Sequence, residues 1–361
     1  MTTPRRFADL RGGARLAIDA VKGVTRIVEG VHGSVVGLAP PVGKREERRL
    51  NGISGLVYRS IHGTTNLVGL ALDGALAGVQ HLLVKPEGAN NNEAANAERD
   101  AVVSALNGVV GDHLESTRNP LAIEMQLVRP TASGPHPLLL VHGLCMNEHQ
   151  WTRHGHDHGQ ALASSLGFTP IYLRYNTGRH IADNGASLAS LLETALANWR
   201  VPVERFTIIG HSMGGLVARN AVQHAVAAGM AWPRLLKQFV SLGTPYYGAA
   251  LERGGNWLEQ GLGVSPYLAP FTRLTGLRSA GITDLRHGEL VPLPSDVASF
   301  AIAGALGSKP GGDWRGDGLV TQESALGDSK QTFVAHGVGH LDLLSSKAVY
   351  ARLNEWLAGR A

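Results

Sequence analysis

The stretch that most constrains this chain is FTIIGHSMGGLVARN, Phe206 to Asn220. An apolar run stops at Gly210, and His211 and Ser212 follow. Two more glycines then open a segment with helical periodicity. A short apolar run bounded by glycine reads as a strand buried on both faces, and the segment after it reads as a helix. The same alternation recurs from about residue 135 onward. Strands are expected at Pro137–Val141, Pro170–Arg174, Arg205–Ile209, Gln238–Ser241, Ser299–Ala303 and Gln331–Val334. Helices are expected at about Trp151–Leu166, Ile181–Trp199 and Met213–Ala228. Buried strands alternating with helices imply an α/β fold, a mainly parallel sheet covered on both faces.

The chain has 361 residues, 43% of them hydrophobic, which is enough for one large domain and an extension. Its formal charge of +4 is spread thinly. The one dense charge cluster, Gly43–Leu50 (GKREERRL), is diluted by its two glutamates and reads as a solvated linker, so no nucleic-acid partner is expected. Cys145 is the single cysteine, so no intramolecular disulfide can form. The N-terminus carries no unbroken apolar core of a secretory signal, and no 18 consecutive apolar residues occur. These features fit a reducing, cytoplasmic setting.

Composition changes near residue 130, so domains are expected over 1–130 and 131–361. The first part is rich in Gly, Ala, Val and Leu and reads as weakly amphipathic helices. VHGSVVGLA (Val31–Ala39) resembles IHGTTNLVGLA (Ile61–Ala71), an internal duplication. Three readings stand open for this helical extension: packing on the second domain, an oligomerisation surface, or peripheral contact with a lipid or polymer-granule surface. Frequent glycine weakens isolated helices, so some partner surface is implied.

Gly210–Gly214 fits G-x-S-x-G in strand–turn–helix context, the arrangement that lifts a serine hydroxyl above the end of a sheet. A hydroxyl is a weak nucleophile and needs a base oriented by an acid. Downstream of the Ser299–Ala303 strand lie Asp313 and Asp317, and beyond the last strand lie His336 and His340. Asp317 and His340 are the expected pair, with Asp313 and His336 as alternatives. The backbone N–H groups of Met213 and of Leu144, in VHGLCMN (Val141–Asn147), are the expected oxyanion donors. Cys145 beside them reads as a packed small residue. The alternating His154, His156 and His158 read as a polar rim.

These motifs resemble the α/β-hydrolase superfamily. GHSMGG and LGTPYYGA are similar to bacterial triacylglycerol lipases and to inositol-deacylase-like hydrolases. The resemblance spans about 135–358. It implies ester hydrolysis through an acyl-enzyme on Ser212, with His340 as base and Asp317 as its partner. It also raises a structural calcium ion at Asp342, but a calcium ion takes about six to eight oxygens and a single aspartate does not make a site. No metal and no cofactor are expected. A lid is expected over about 247–295, where Trp257, Leu258, Leu262, Tyr267 and Phe271 suit an acyl chain. His142, His211, Tyr246 and Trp257 are the expected substrate contacts. The expected activity is thus a lipase or esterase acting on a small-molecule or lipid ester. An acyltransferase, a thioesterase or a lipid-surface binding protein are the alternatives.

Overall fold

The computed structural model describes residues 8–19, 22, 93–128, 134–248, 279–307 and 316–359. The duplicated motifs, the 43–50 cluster, Trp257, Asp313 and most of the expected lid lie outside the described residues. Among the described residues, no helix is long and apolar enough to cross a membrane.

The strands are β1 (Gln126–Val128), β2 (Pro137–Val141), β3 (Thr169–Arg174), β4 (Phe206–His211), β5 (Leu236–Leu242), β6 (Ala298–Ala305) and β7 (Gln331–His336). They form one sheet in the order β1-β3-β2-β4-β5-β6-β7. Every neighbouring pair is parallel except β1 with β3. β2 and β4 are buried along their whole length, which is why they read as continuous apolar runs. β1 was not expected. It is a three-residue edge strand with alternating exposure, too short to leave a pattern.

The helices are α1 (Glu93–Ser116), α2 (His158–Leu166), α3 (Ile181–Ala197), α4 (Met213–Ala227), α5 (Ala280–His287), α6 (Gln322–Leu326) and α7 (Lys347–Ala358). The expected helix over Trp151–Leu166 is two elements. A 3-10 turn covers Glu148–Trp151, and α2 starts only at His158. Between them the chain reverses through left-handed His154 and Gly155, and the Asp157 side chain caps α2 by accepting from Gln160 N–H.

The side chains of Leu138, Leu140, Ile209, Val240, Leu242 and Ile302 share a core with Leu162 of α2 and Val349, Leu353 and Leu357 of α7. The alternate residue Phe239 faces the other way, with the Arg219 guanidinium of α4 5.7 Å from its ring centroid. The sheet is therefore covered on both sides.

The chain leaves β2 for β3 on one side and then passes to β4 on the other, so the strand order reverses between β2 and β4. Ligands of open α/β sheets bind at the carboxyl ends of strands at such a reversal. Val141 pairs with Gly210, His211 with Leu242 and Ala305 with His336, so the loops after β2, β4, β5, β6 and β7 emerge along one edge.

The described residues fall into two compact units. Ala97–His113 and Ile123–Ala361 form the unit that carries the sheet, so much of α1 belongs with it. The other draws on Met1–Asn96 and Leu114–Ala122. It includes a helical stretch over 8–19, tied down where Asn119 Nδ2 donates to Gly12 O at 3.0 Å and Arg15 donates to Arg118 O at 3.0 Å.

The α3–α4 contact fixes the helix that follows Ser212. A Cβ on Gly185 would lie 2.6 Å from Asn220 Cβ and 3.0 Å from Ala221 N. Alanine is the better helix former by about 1 kcal/mol, but overpacking costs about 1–3 kcal/mol. Gly185→Ala is therefore expected to lower the melting temperature by several degrees in calorimetry. A raised melting temperature would mean that propensity outweighs the packing.

Candidate active site

Ser212 sits at φ 53°, ψ −129°, a left-handed conformation rare outside glycine, and it is almost fully buried. Such a backbone costs about 1–3 kcal/mol and persists only where its surroundings impose it. Here the Ser212 N–H donates to Leu242 O at 2.9 Å, and Gly215 N–H donates back to Ser212 O at 3.1 Å. Gly210 and Gly214 allow the crossing. A Cβ on Gly210 would lie 2.5 Å from Gly215 Cα, and one on Gly214 would lie 2.2 Å from Val141 O. The glycines around Ser212 are thus where strand, turn and helix backbones touch.

The structure brings Asp317 and His340 together. His340 Nδ1 donates to Asp317 Oδ2 at 2.7 Å, and both side chains are buried. Asp317 Oδ1 accepts from Leu319 N–H at 3.0 Å and Val320 N–H at 2.8 Å, and its carbonyl accepts from His340 N–H at 3.1 Å. The carboxylate is fixed before it meets the imidazole, and the Nδ1–H tautomer leaves Nε2 as an acceptor. The pair lies beside the elbow. A Cβ on Gly243, next to the Leu242 that holds Ser212, would be 3.0 Å from Asp317 Oδ2 and 3.1 Å from His340 Nδ1. His336 ends β7 instead, and its Nδ1 has no partner among the described residues.

The loop after β2 closes the other side. Gly143 packs on Ser212, where an added Cβ would come within 2.9 Å of the serine Cβ. Cys145 is left-handed at φ 61°, and its N–H donates to Thr177 Oγ1 at 3.1 Å. Its thiol is buried, which pushes its pKa up to about 12, so it is a packing residue rather than a nucleophile. Asn147 and Gln150 form a capping box on the 3-10 turn that follows, a pattern the sequence already carried as N-x-x-Q. Among the described residues, neither Leu144 N–H nor Met213 N–H donates a hydrogen bond. Met213 is the first residue of α4, where the helix dipole favours negative charge.

His142 and His211 are fully buried, so neither ring offers a surface to a substrate. His142 Nδ1 donates to Gly143 O at 3.0 Å, and its ring stacks on Tyr175. His211 Nε2 donates to His340 O at 3.1 Å, with ring centroids 4.8 Å apart, a link that sequence reasoning missed. Tyr246 is also buried, with the Arg219 guanidinium 4.5 Å from its ring centroid. Trp257 lies outside the described residues. Within the expected polar rim, His158 is instead buried. It donates from Nε2 to Leu343 O at 2.9 Å and accepts at Nδ1 from His156 at 2.8 Å. Asp342 pairs with Arg153 at 3.2 Å. Among the described residues, no three His, Cys, Asp or Glu side chains are grouped to hold a metal.

Burial lowers His142 and His158 from 6.5 to about 4. It lowers His211 well below 6.5, and the neighbouring His340 lowers it further. In the unfolded chain these imidazoles titrate near 6.5, so between about 4 and 6.5 the unfolded state binds more protons. Their stabilisation is complete above that window and is lost as the pH falls through it. The melting temperature is expected to drop steeply between pH 6.5 and 4, with each histidine contributing up to a few kcal/mol. His158→Gln should flatten that slope; a slope equal to wild type would remove His158 from the account.

Residues 132–260 match the family described as PGAP1-like alpha/beta domain. No curated protein sequence matches the chain. Among solved structures, the chain is similar to the Bacillus licheniformis lipase BlEst2. In its propeptide form the identity is 18% and the TM-score 0.48, over 66% of this chain and 54% of that one. In its mature form the identity is 17% and the TM-score 0.45, over 64% and 98%. It is also similar to a lipase-esterase related protein from Clostridium acetobutylicum, with 18% identity and TM-score 0.39 over 65% and 97%. RedJ, a thioesterase from the prodiginine pathway of Streptomyces coelicolor, shows 17% identity and TM-score 0.40 over 64% and 90%. With its reversed strand order and its serine bend after β4, the sheet-bearing unit has an α/β-hydrolase-like fold, and its residues 132–260 are similar to the PGAP1-like alpha/beta domain.

Proposed function

We propose that the chain is a serine carboxylic-ester hydrolase that works through an acyl-enzyme on Ser212. The observation that carries this reading is the buried 2.7 Å His340–Asp317 pair beside the strained Ser212 bend. His340 Nε2 takes the hydroxyl proton as Ser212 Oγ attacks the ester carbonyl. The carbonyl oxygen becomes an oxyanion against the Leu144 and Met213 N–H groups. Collapse breaks the bond to the leaving alcohol, and His340 returns the proton to that oxygen. Water then repeats the sequence on the acyl-serine, releasing the acid and freeing Ser212.

The acyl side of the substrate is apolar in this reading. Tyr247 and Leu306, in the loops after β5 and β6, are 55% and 53% exposed. Exposed apolar side chains in these loops suit a hydrocarbon chain better than a charged group.

Hydrolysis of p-nitrophenyl esters from acetate to palmitate tests the reading. Ser212→Ala is expected to remove turnover. Asp317→Asn is expected to lower kcat by roughly 10⁴, because the imidazole would then be held in the wrong tautomer. Hydrolysis by Ser212→Ala at the wild-type rate would refute the assignment.

A further inference from the structure

We infer that the Ala97–His113 part of α1 sets the conformation of the loop after β2, with Gly108 as its positioning residue. This rests on the ester-hydrolase reading of that loop. The segment belongs to the sheet-bearing unit although it precedes every described strand.

Its contacts reach the far half of the loop, at Cys145 and Asn147, and the 3-10 turn beyond it. Asn147 Nδ2 donates to Ser104 Oγ at 3.2 Å, and Cys145 Sγ reaches Ala105 O at 3.8 Å. Arg174, at the end of β3, bridges Asp100 of the helix to Glu148 at the start of the 3-10 turn. Gly108 is the closest approach. A Cβ there would lie 2.2 Å from Cys145 Sγ, 2.9 Å from its Cα and 3.0 Å from its N. Two of those atoms are backbone, so a rotamer change cannot relieve them. The backbone that would have to move adjoins Leu144, whose N–H is the proposed oxyanion donor.

The same segment anchors what surrounds the loop. Asn176 Nδ2 donates to Gly111 O at 2.9 Å. A Cβ on Gly178, next to the Thr177 that accepts from Cys145 N–H, would lie 2.1 Å from Asn107 O. Ser279 Oγ donates to Gly108 O at 2.6 Å, and Ala280 N–H donates to Asp112 Oδ2 at 3.0 Å. The helix is thus held from several directions and cannot simply recede when its contact with Cys145 is enlarged.

A group that positions an oxyanion donor affects the transition state more than the bound ester, so its loss lowers kcat and leaves KM in place. Gly108→Ala in the full chain is therefore expected to lower kcat for p-nitrophenyl butyrate roughly tenfold to a hundredfold. KM should stay within about twofold. Rates are taken per Ser212 titrated with a fluorophosphonate. Adding Cys145→Gly removes the sulfur and suits the left-handed φ of 61°, so part of the lost kcat should return. Wild-type kcat in Gly108→Ala would overturn the inference, as would a loss confined to the melting temperature. If Gly108→Ala gives no folded protein, Ser104→Ala carries the test. A several-fold lower kcat at constant KM supports the inference, and an unchanged kcat overturns it. Hydrolysis surviving in Ser212→Ala would instead overturn the ester-hydrolase reading itself. An inactive Ser212→Ala beside a fully active Gly108→Ala would overturn only the role of the helix.

Discussion

Everything at this site depends on a bend that Ser212 does not adopt on its own. A left-handed serine is unfavourable, and its φ of 53° must be imposed by what surrounds it. The register that pairs His211 with Leu242 brings Leu242 O to the Ser212 N–H. The absence of side chains at Gly210 and Gly214 lets α4 start directly against β2 and β4. The contact of Gly185 with Asn220 then fixes α4 from behind. Packing energy spread over the sheet is in this way concentrated on one hydroxyl.

The electrostatics follow from how the histidines are divided. His142, His158 and His211 are buried without a carboxylate hydrogen bond, and burial holds them neutral. His340 is buried too, but against an aspartate that accepts two backbone N–H bonds. Among these four rings, His340 is the one hydrogen-bonded to a carboxylate. His211, held neutral by burial, donates its Nε2–H to the carbonyl of His340.

The central sheet was legible in the sequence because strands covered on both faces must be apolar throughout, and β2 and β4 carry that signature without interruption. The elbow was legible because its glycines are required by backbone contacts within a few residues of Ser212. The order of Asp317 and His340 was legible from their positions after β6 and β7. β1 was not, because a three-residue edge strand leaves no period to read. Nor was the break before α2, where His154 takes a left-handed φ that its residue type does not announce. The burial of His158 was hidden too, because its partner Leu343 O is supplied from 185 residues further along the chain.

The placement of α1, rather than its helical character, was the hardest part to read, for a physical reason. Gly108 and Gly111 lower its helix propensity and leave little amphipathic pattern, so by composition the segment joins the glycine-rich region before residue 130. Yet small residues are what a helix needs to come within van der Waals reach of another backbone, and Gly108 does so against Cys145. The property that makes the segment look like a weak extension is the one that lets it pack on the loop after β2. A composition boundary reports local propensity. A packing boundary reports which surfaces exclude water together, and here Ala97–His113 falls on the side of the sheet. On the ester-hydrolase reading, whose chemistry needs a backbone N–H held in place, this helix belongs to the site although it lies far upstream in the chain.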